Sequence, residues 1–231
     1  MAAATIHILS LPKSGHAPHE NEDAAFVRSD HWPVHAAIAD GATESAFSRH
    51  WARILVQNAC TTSTLVPTLS SLDAWRAEWR QEIAPQINEQ PWYVAAKAQE
   101  GAHATYLHCI AQQNGTYQAA ACGDSVLLHL RNNALHTAWP TSDPDAFGHR
   151  PALVSTTNGA APSFDTYTST WQPNDAIVLA TDAAAAWLLR TNPARALTWT
   201  ASTFATEADE ARSTNRLAND DTTVAVIQFE A

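Results

Sequence analysis

Tyr106-Leu107-His108-Cys109-Ile110-Ala111-Gln112 and Tyr117-Gln118-Ala119-Ala120-Ala121-Cys122, joined by Gln113-Asn114-Gly115-Thr116, decide the fold. Both runs are short and apolar with turn residues between them, which reads as two strands. Asn-Gly at their junction reads as a hairpin turn. Two more runs follow, 126–131 and 134–138, and Arg131-Asn132-Asn133-Ala134 reads as a second turn between them.

Outward from this series, further strand-like runs lie at 5–9, 24–28, 34–39, 176–180 and 222–229. Residues 45–59 carry Phe47, Trp51, Ile54 and Leu55 at helical spacing. Residues 71–107 open with Trp75, Trp79, Ile83 and Ile87, a strict i, i+4 stripe, and Pro85 and Pro91 are expected to break or bend that helix. A third helical group falls at 183–190 and 205–217. Trp51, Trp75, Trp79 and Trp92 read as helix-packing residues, and most of the eleven histidines as surface residues. Residues 140–170 are rich in Pro, Ser, Thr, Asp and Gly without periodicity, which reads as a functional flap or a mobile loop. Strands, helices, hairpin strands and a mixed tail, in that order, argue for an α+β fold rather than a doubly wound sheet. Two antiparallel sheets covered by helices would use every segment in one domain, residues 1–231.

Composition narrows the function. The net charge of −10 argues against a nucleic-acid partner, because phosphate backbones attract basic surfaces. Surplus carboxylates are instead what hard cations require. The longest apolar run, 183–189, is too short to span a bilayer, and the N-terminus shows no basic start of a signal peptide. Cys60, Cys109 and Cys122 are odd in number and show no C-x-x-C spacing, so a reducing, cytoplasmic setting is expected.

Carboxylates recur at the ends of the strand-like runs. Glu22-Asp23 precedes Ala24, Asp40-Gly41 follows Ala39, and Asp124 lies between two strands. Asp182 follows Thr181, and Asp220-Asp221 precedes Thr222. A rigid sheet holds such groups in fixed geometry. Magnesium and manganese take oxygen ligands, and two such ions a few ångströms apart clamp a phosphoryl group. Gly41 leaves a backbone carbonyl open to approach. Taken singly, Asp40 and Asp182 also read as helix N-caps, and Asp220-Asp221 as a polar turn.

The tags Glu20-Asn21-Glu22-Asp23, Ala39-Asp40-Gly41, Gly101-Ala102-His103-Ala104-Thr105, Cys122-Gly123-Asp124-Ser125, Leu179-Ala180-Thr181-Asp182 and Asn219-Asp220-Asp221-Thr222-Thr223-Val224 run from residue 20 to residue 224. In that order the chain resembles the metal-dependent protein phosphatase family, the type 2C serine/threonine phosphatases. The resemblance implies a β-sandwich of two antiparallel sheets flanked by helices, a four-layer αββα arrangement with a flap-like insert at about 140–170. It implies hydrolysis of phosphoserine and phosphothreonine in a phosphorylated protein substrate by a hydroxide bridging two Mn2+ or Mg2+ ions. Carried over by position, Asp40 bridges both metals and the Gly41 carbonyl binds one. Asp182 and Asp220 hold the first metal, and Glu22 reaches the second through water. Asp124 with Asp182 matches a third metal position, and Asp23 supports the shell. Asp40, Asp182 and Asp220 are thus the catalytic candidates.

Two positions depart from the family pattern. Many members carry an arginine where this chain has Pro18, so Lys13 or Arg150 is the candidate for the substrate phosphate. Many carry a histidine where this chain has Ala42, so a water, His16, His19 or His149 would protonate the leaving group. A weak or inactive regulatory module on the same fold is the alternative, and a scaffold whose acids are only caps and turns is a third reading. A monomer without nucleic-acid or membrane partners is expected.

Overall fold

In a computed structural model describing residues 3–87, 91–148, 150–159 and 161–230, the hairpin series forms as its residues dictate. Strands β5 (Tyr106–Ala111) and β6 (Thr116–Cys122) pair antiparallel around Gly115, whose φ of 85° a side chain would disfavour. β7 (Val126–Arg131) and β8 (Ala134–Trp139) turn through Asn132 and Asn133, both at positive φ as a tight hairpin turn requires.

The remaining strands complete two five-stranded sheets. They are β1 (Ala4–Leu11), β2 (Ala24–Arg28), β3 (Val34–Ala39), β10 (Asp165–Thr170), β11 (Ala176–Ala180) and β12 (Thr222–Phe229). One sheet has the order β1-β12-β11-β7-β8 and the other β10-β6-β5-β3-β2. Every pairing within them is antiparallel. A two-stranded pair, β4 (His103–Ala104) with β9 (Val154–Ser155), lies beside them. The helices are α1 (Ser48–Thr61), α2 (Leu69–Ile87), α3 (Trp92–Gln99), α4 (Asp182–Arg190) and α5 (Ala201–Ser213).

Strand alternation sorts the core into three layers of side chains. Val34, Ala36 and Ile38 of β3 face Leu127, Ile177, Leu179 and Ile227 of the opposite sheet. Ala37 and Ala39 point the other way, onto Trp51, Ile54 and Leu55 of α1 and Trp75, Trp79 and Ile83 of α2. Val178, Val224 and Val226 pack outward against Trp187 of α4 and Phe204 of α5. The result is an α+β sandwich, helices–sheet–sheet–helices.

Several expectations are corrected. Strands β4 and β9 are two residues long, too short to show an apolar run although Ala104 and Val154 are buried, and β10 is Thr-rich. β10 is an edge strand paired with β6, so the 140–170 stretch is not structureless. Pro85 sits inside α2 without ending it, since the helix stops two residues later anyway. Residues 88–90 lie outside the described residues. α5 starts earlier than expected, capped by Thr200, whose side chain accepts the Thr203 N–H. Trp92 is 82% exposed, unlike the other helix tryptophans. His35, His108 and His129 are buried rather than on the surface.

Candidate active site

Ala39 ends β3, and the chain then meets β5 at one pole of the sandwich. There the Asp40 N–H donates to Thr105 Oγ1 at 2.8 Å, and the Thr105 N–H donates back to the Asp40 carbonyl at 2.8 Å. Thr105 Oγ1 also bonds Ser125 Oγ at 2.9 Å, which ties in the β6–β7 connection that carries Asp124. The bracing role of Thr105 is not visible along the chain, because its partners Asp40 and Ser125 are 65 and 20 residues away. Asp182 opens α4 and accepts the Ala183 N–H at 2.5 Å, so it does help cap that helix. Asp40 caps nothing, since α1 begins only at Ser48.

Asp40, Asp124, Asp182 and Asp220 line one cavity of about 390 Å³, together with Thr43, Glu44 and Arg150. Gly41 sits between the lining residues Asp40 and Ala42. A Cβ there would come within 2.7 Å of the Glu22 carbonyl oxygen and 3.0 Å of the Ser48 backbone, so only glycine fits. The Glu22 carboxylate does not line the cavity. It accepts the Ser48 hydroxyl at 2.5 Å and sits 3.8 Å from Lys13 Nζ. Lys13 is likewise outside the lining, leaving Arg150 as its arginine or lysine among the described residues. His16 faces Glu20 at 3.9 Å, the His19 carbonyl accepts from Arg49, and His149 lies outside the described residues.

Beneath the cavity a polar layer braces the loops. Asp221 accepts the N–H groups of Lys13 at 2.8 Å and Glu22 at 2.7 Å. Asp23 is buried and accepts the Thr181 hydroxyl at 3.0 Å, while its Oδ1 has no partner among the described residues.

Like charges set the electrostatics. Burial holds the Asp40 carboxyl well above the ordinary range, and Asp23, Asp182, Asp220 and Asp124 push it further. Asp124 is raised to about 6 by burial and by Asp182. Burial also raises Asp182, and Asp220 adds to this against the Ala183 hydrogen bond. A cation that joins such a group favours its ionised form. Among the described residues no three His, Cys, Asp or Glu side chains converge as an assembled ligand shell. The donor set is nevertheless one of hard oxygens, and mutual repulsion with an orphaned carboxylate oxygen suits it to divalent cations.

The protein phosphatase 2C family profile matches residues 16–219. No curated protein sequence matches. Among solved structures, the serine/threonine phosphatase PstP/Ppp of Mycobacterium tuberculosis superposes with a TM-score of 0.63 at 17% identity, covering 99% of both chains. Its catalytic domain in complex with two manganese ions gives 0.62 at 16% identity, covering 100% of both. PppA of Pseudomonas aeruginosa gives 0.60 at 18% identity, covering 99% of this chain and 100% of that one. At such identities these structures speak for the fold, and the profile match spans most of the sequence: the chain belongs to the protein phosphatase 2C family.

Proposed function

We propose that the chain is a metal-dependent phosphatase that hydrolyses phosphoserine and phosphothreonine in proteins. The observation that carries this reading is the meeting of Asp40, Asp124, Asp182 and Asp220 around one cavity that also holds Arg150. Manganese or magnesium ions would be held by Asp40, the Gly41 carbonyl, Asp182 and Asp220, with Glu22 acting through water and Asp124 with Asp182 serving a third ion. Such ions, when bound, supply Lewis acidity toward water and phosphoryl oxygens.

The protein's own groups orient the substrate. The Arg150 guanidinium forks onto two phosphate oxygens, a geometry a lysine lacks. Lys13 balances Glu22 instead. Neither His16 nor His19 lines the cavity, so a water or His149 protonates the leaving alkoxide. The insert at about 140–170 serves as a flap beside the cavity, within a single domain 1–231. Its Asp145 is held to Arg190 of α4 at 2.7 Å. The chain works as a monomer, the free, buried cysteines fit a reducing cytoplasmic setting, and no helix among the described residues is long and apolar enough to cross a membrane.

The test is manganese-dependent hydrolysis of p-nitrophenyl phosphate. Wild type should turn over, and Asp182→Ala should lose at least about a hundredfold. No manganese-dependent turnover, or an unchanged variant, refutes the reading.

A further inference from the structure

At the pole opposite the acidic cavity, one cross-strand row runs Arg28, His35, Ile110, Gln118. Alternation places this row on the helix-covered face of the sheet, with Phe26, Ala37 and Ala120. α1 stops at Thr61, so residues 62–65 rather than a helix cover the row. A second cavity, of about 430 Å³, lies there, lined by Arg28, His35, Ser63, Gln112 and Gln118.

Arg28 forms no ion pair among the described residues, although the Asp30 carboxylate feels its charge. Arg28 Nε is buried without a hydrogen-bond partner among the described residues. Among the described residues no carboxylate lines the cavity, and the nearby Asp30 pairs with His31 at 2.8 Å. Burial pushes the Cys60 thiol up to about 12, so no thiolate answers the arginine. Two carbonyls near the end of α1 already accept hydroxyls, that of Asn58 from Thr61 and that of Ala59 from Thr62. That leaves the Ser63 hydroxyl and the Gln112 and Gln118 amides as donors beside the guanidinium.

His35 adds one acceptor. His108 Nδ1 donates to the Leu65 carbonyl at 3.1 Å, so its Nε2 accepts from His35 Nδ1 at 3.2 Å. This assignment leaves His35 Nε2 without its proton. Burial, then the charge of Arg28, lowers the His35 pKa to about 4, so the ring stays neutral.

We propose that this recess binds a small oxyanion that also bears a hydroxyl group, with the anionic oxygens on Arg28 and the hydroxyl donating to His35. Hydrogen phosphate and a hydroxycarboxylate share that chemistry. His35 and Asp40 are five residues apart along β3, ~16 Å at strand rise, so this site is separate from the acidic cavity and does not depend on the phosphatase reading.

Isothermal titration of the metal-free full chain with inorganic phosphate, and separately with citrate, tests it. One of the two should bind saturably at one site, and which one identifies the class. Arg28→Gln should weaken binding about tenfold or more, through loss of a charged hydrogen-bond donor. Gln118→Leu, which removes no charge, should weaken it less, while Asp182→Ala should bind like wild type. Binding by neither anion overturns the proposal. So does an Arg28→Gln variant that binds as wild type, or loss of binding in Asp182→Ala.

Discussion

Asp220 lines the acidic cavity, whereas the buried carboxylate of its neighbour Asp221 holds the backbone of Lys13 and Glu22. Hydrogen bonds to a charged acceptor contribute about 1.5–3 kcal/mol each. Asp221→Ala should therefore lower unfolding stability by about 3 kcal/mol in urea denaturation. Asp220→Ala removes a repelling charge, so its stability should stay within about 1 kcal/mol of wild type while manganese-dependent turnover is lost. Equal destabilisation by both variants would show that the two acids do the same work. Gly41→Ala meets the Glu22 carbonyl at 2.7 Å and should cost about 1–3 kcal/mol, read as a lowered urea midpoint.

Between elements, the pairing of β3 with β5 buries His35 and His108 against each other. Burial, joined by Arg28 for His35 and offset in part by the Leu65 hydrogen bond for His108, lowers both pKa values to about 4. The unfolded imidazoles titrate near 6.5. Between those values the unfolded chain binds more protons than the native one, so stability falls as the pH drops from 6.5 towards 4. Above 6.5 the pair costs nothing. Each histidine accounts for on the order of 2 kcal/mol of that loss. Chemical denaturation at pH 7 and pH 4.5 should show His108→Gln losing less over this interval than wild type. Identical losses would mean that His108 is not held neutral.

At the scale of the whole molecule, four carboxylates from distant parts of the chain share one cavity at the end of the sandwich. Folding therefore works against their repulsion, and any cation bound only by the native state offsets it. Millimolar manganese should raise the melting temperature at pH 7 by several degrees, and a chelator should reverse this, as followed by scanning calorimetry. The shift should shrink in Asp40→Asn. A melting temperature indifferent to manganese would separate the acidic cavity from metal binding.

Local pattern was legible along the chain. The short apolar run 34–39, the Asn-Gly turn and the Trp75, Trp79, Ile83 stripe are written in neighbouring residues, so they announced β3, the β5–β6 hairpin and α2. The acids at strand ends were legible as a set for the same reason. Their division of labour was not, because it rests on contacts such as that of the Glu22 N–H with Asp221, 199 residues apart. Tertiary structure also turned Lys13 toward Glu22, brought Arg150 to the cavity and buried three histidines. Periodicity encodes which face of an element is apolar. Which polar group meets which across that face depends on packing between elements, and no local run of residues records it.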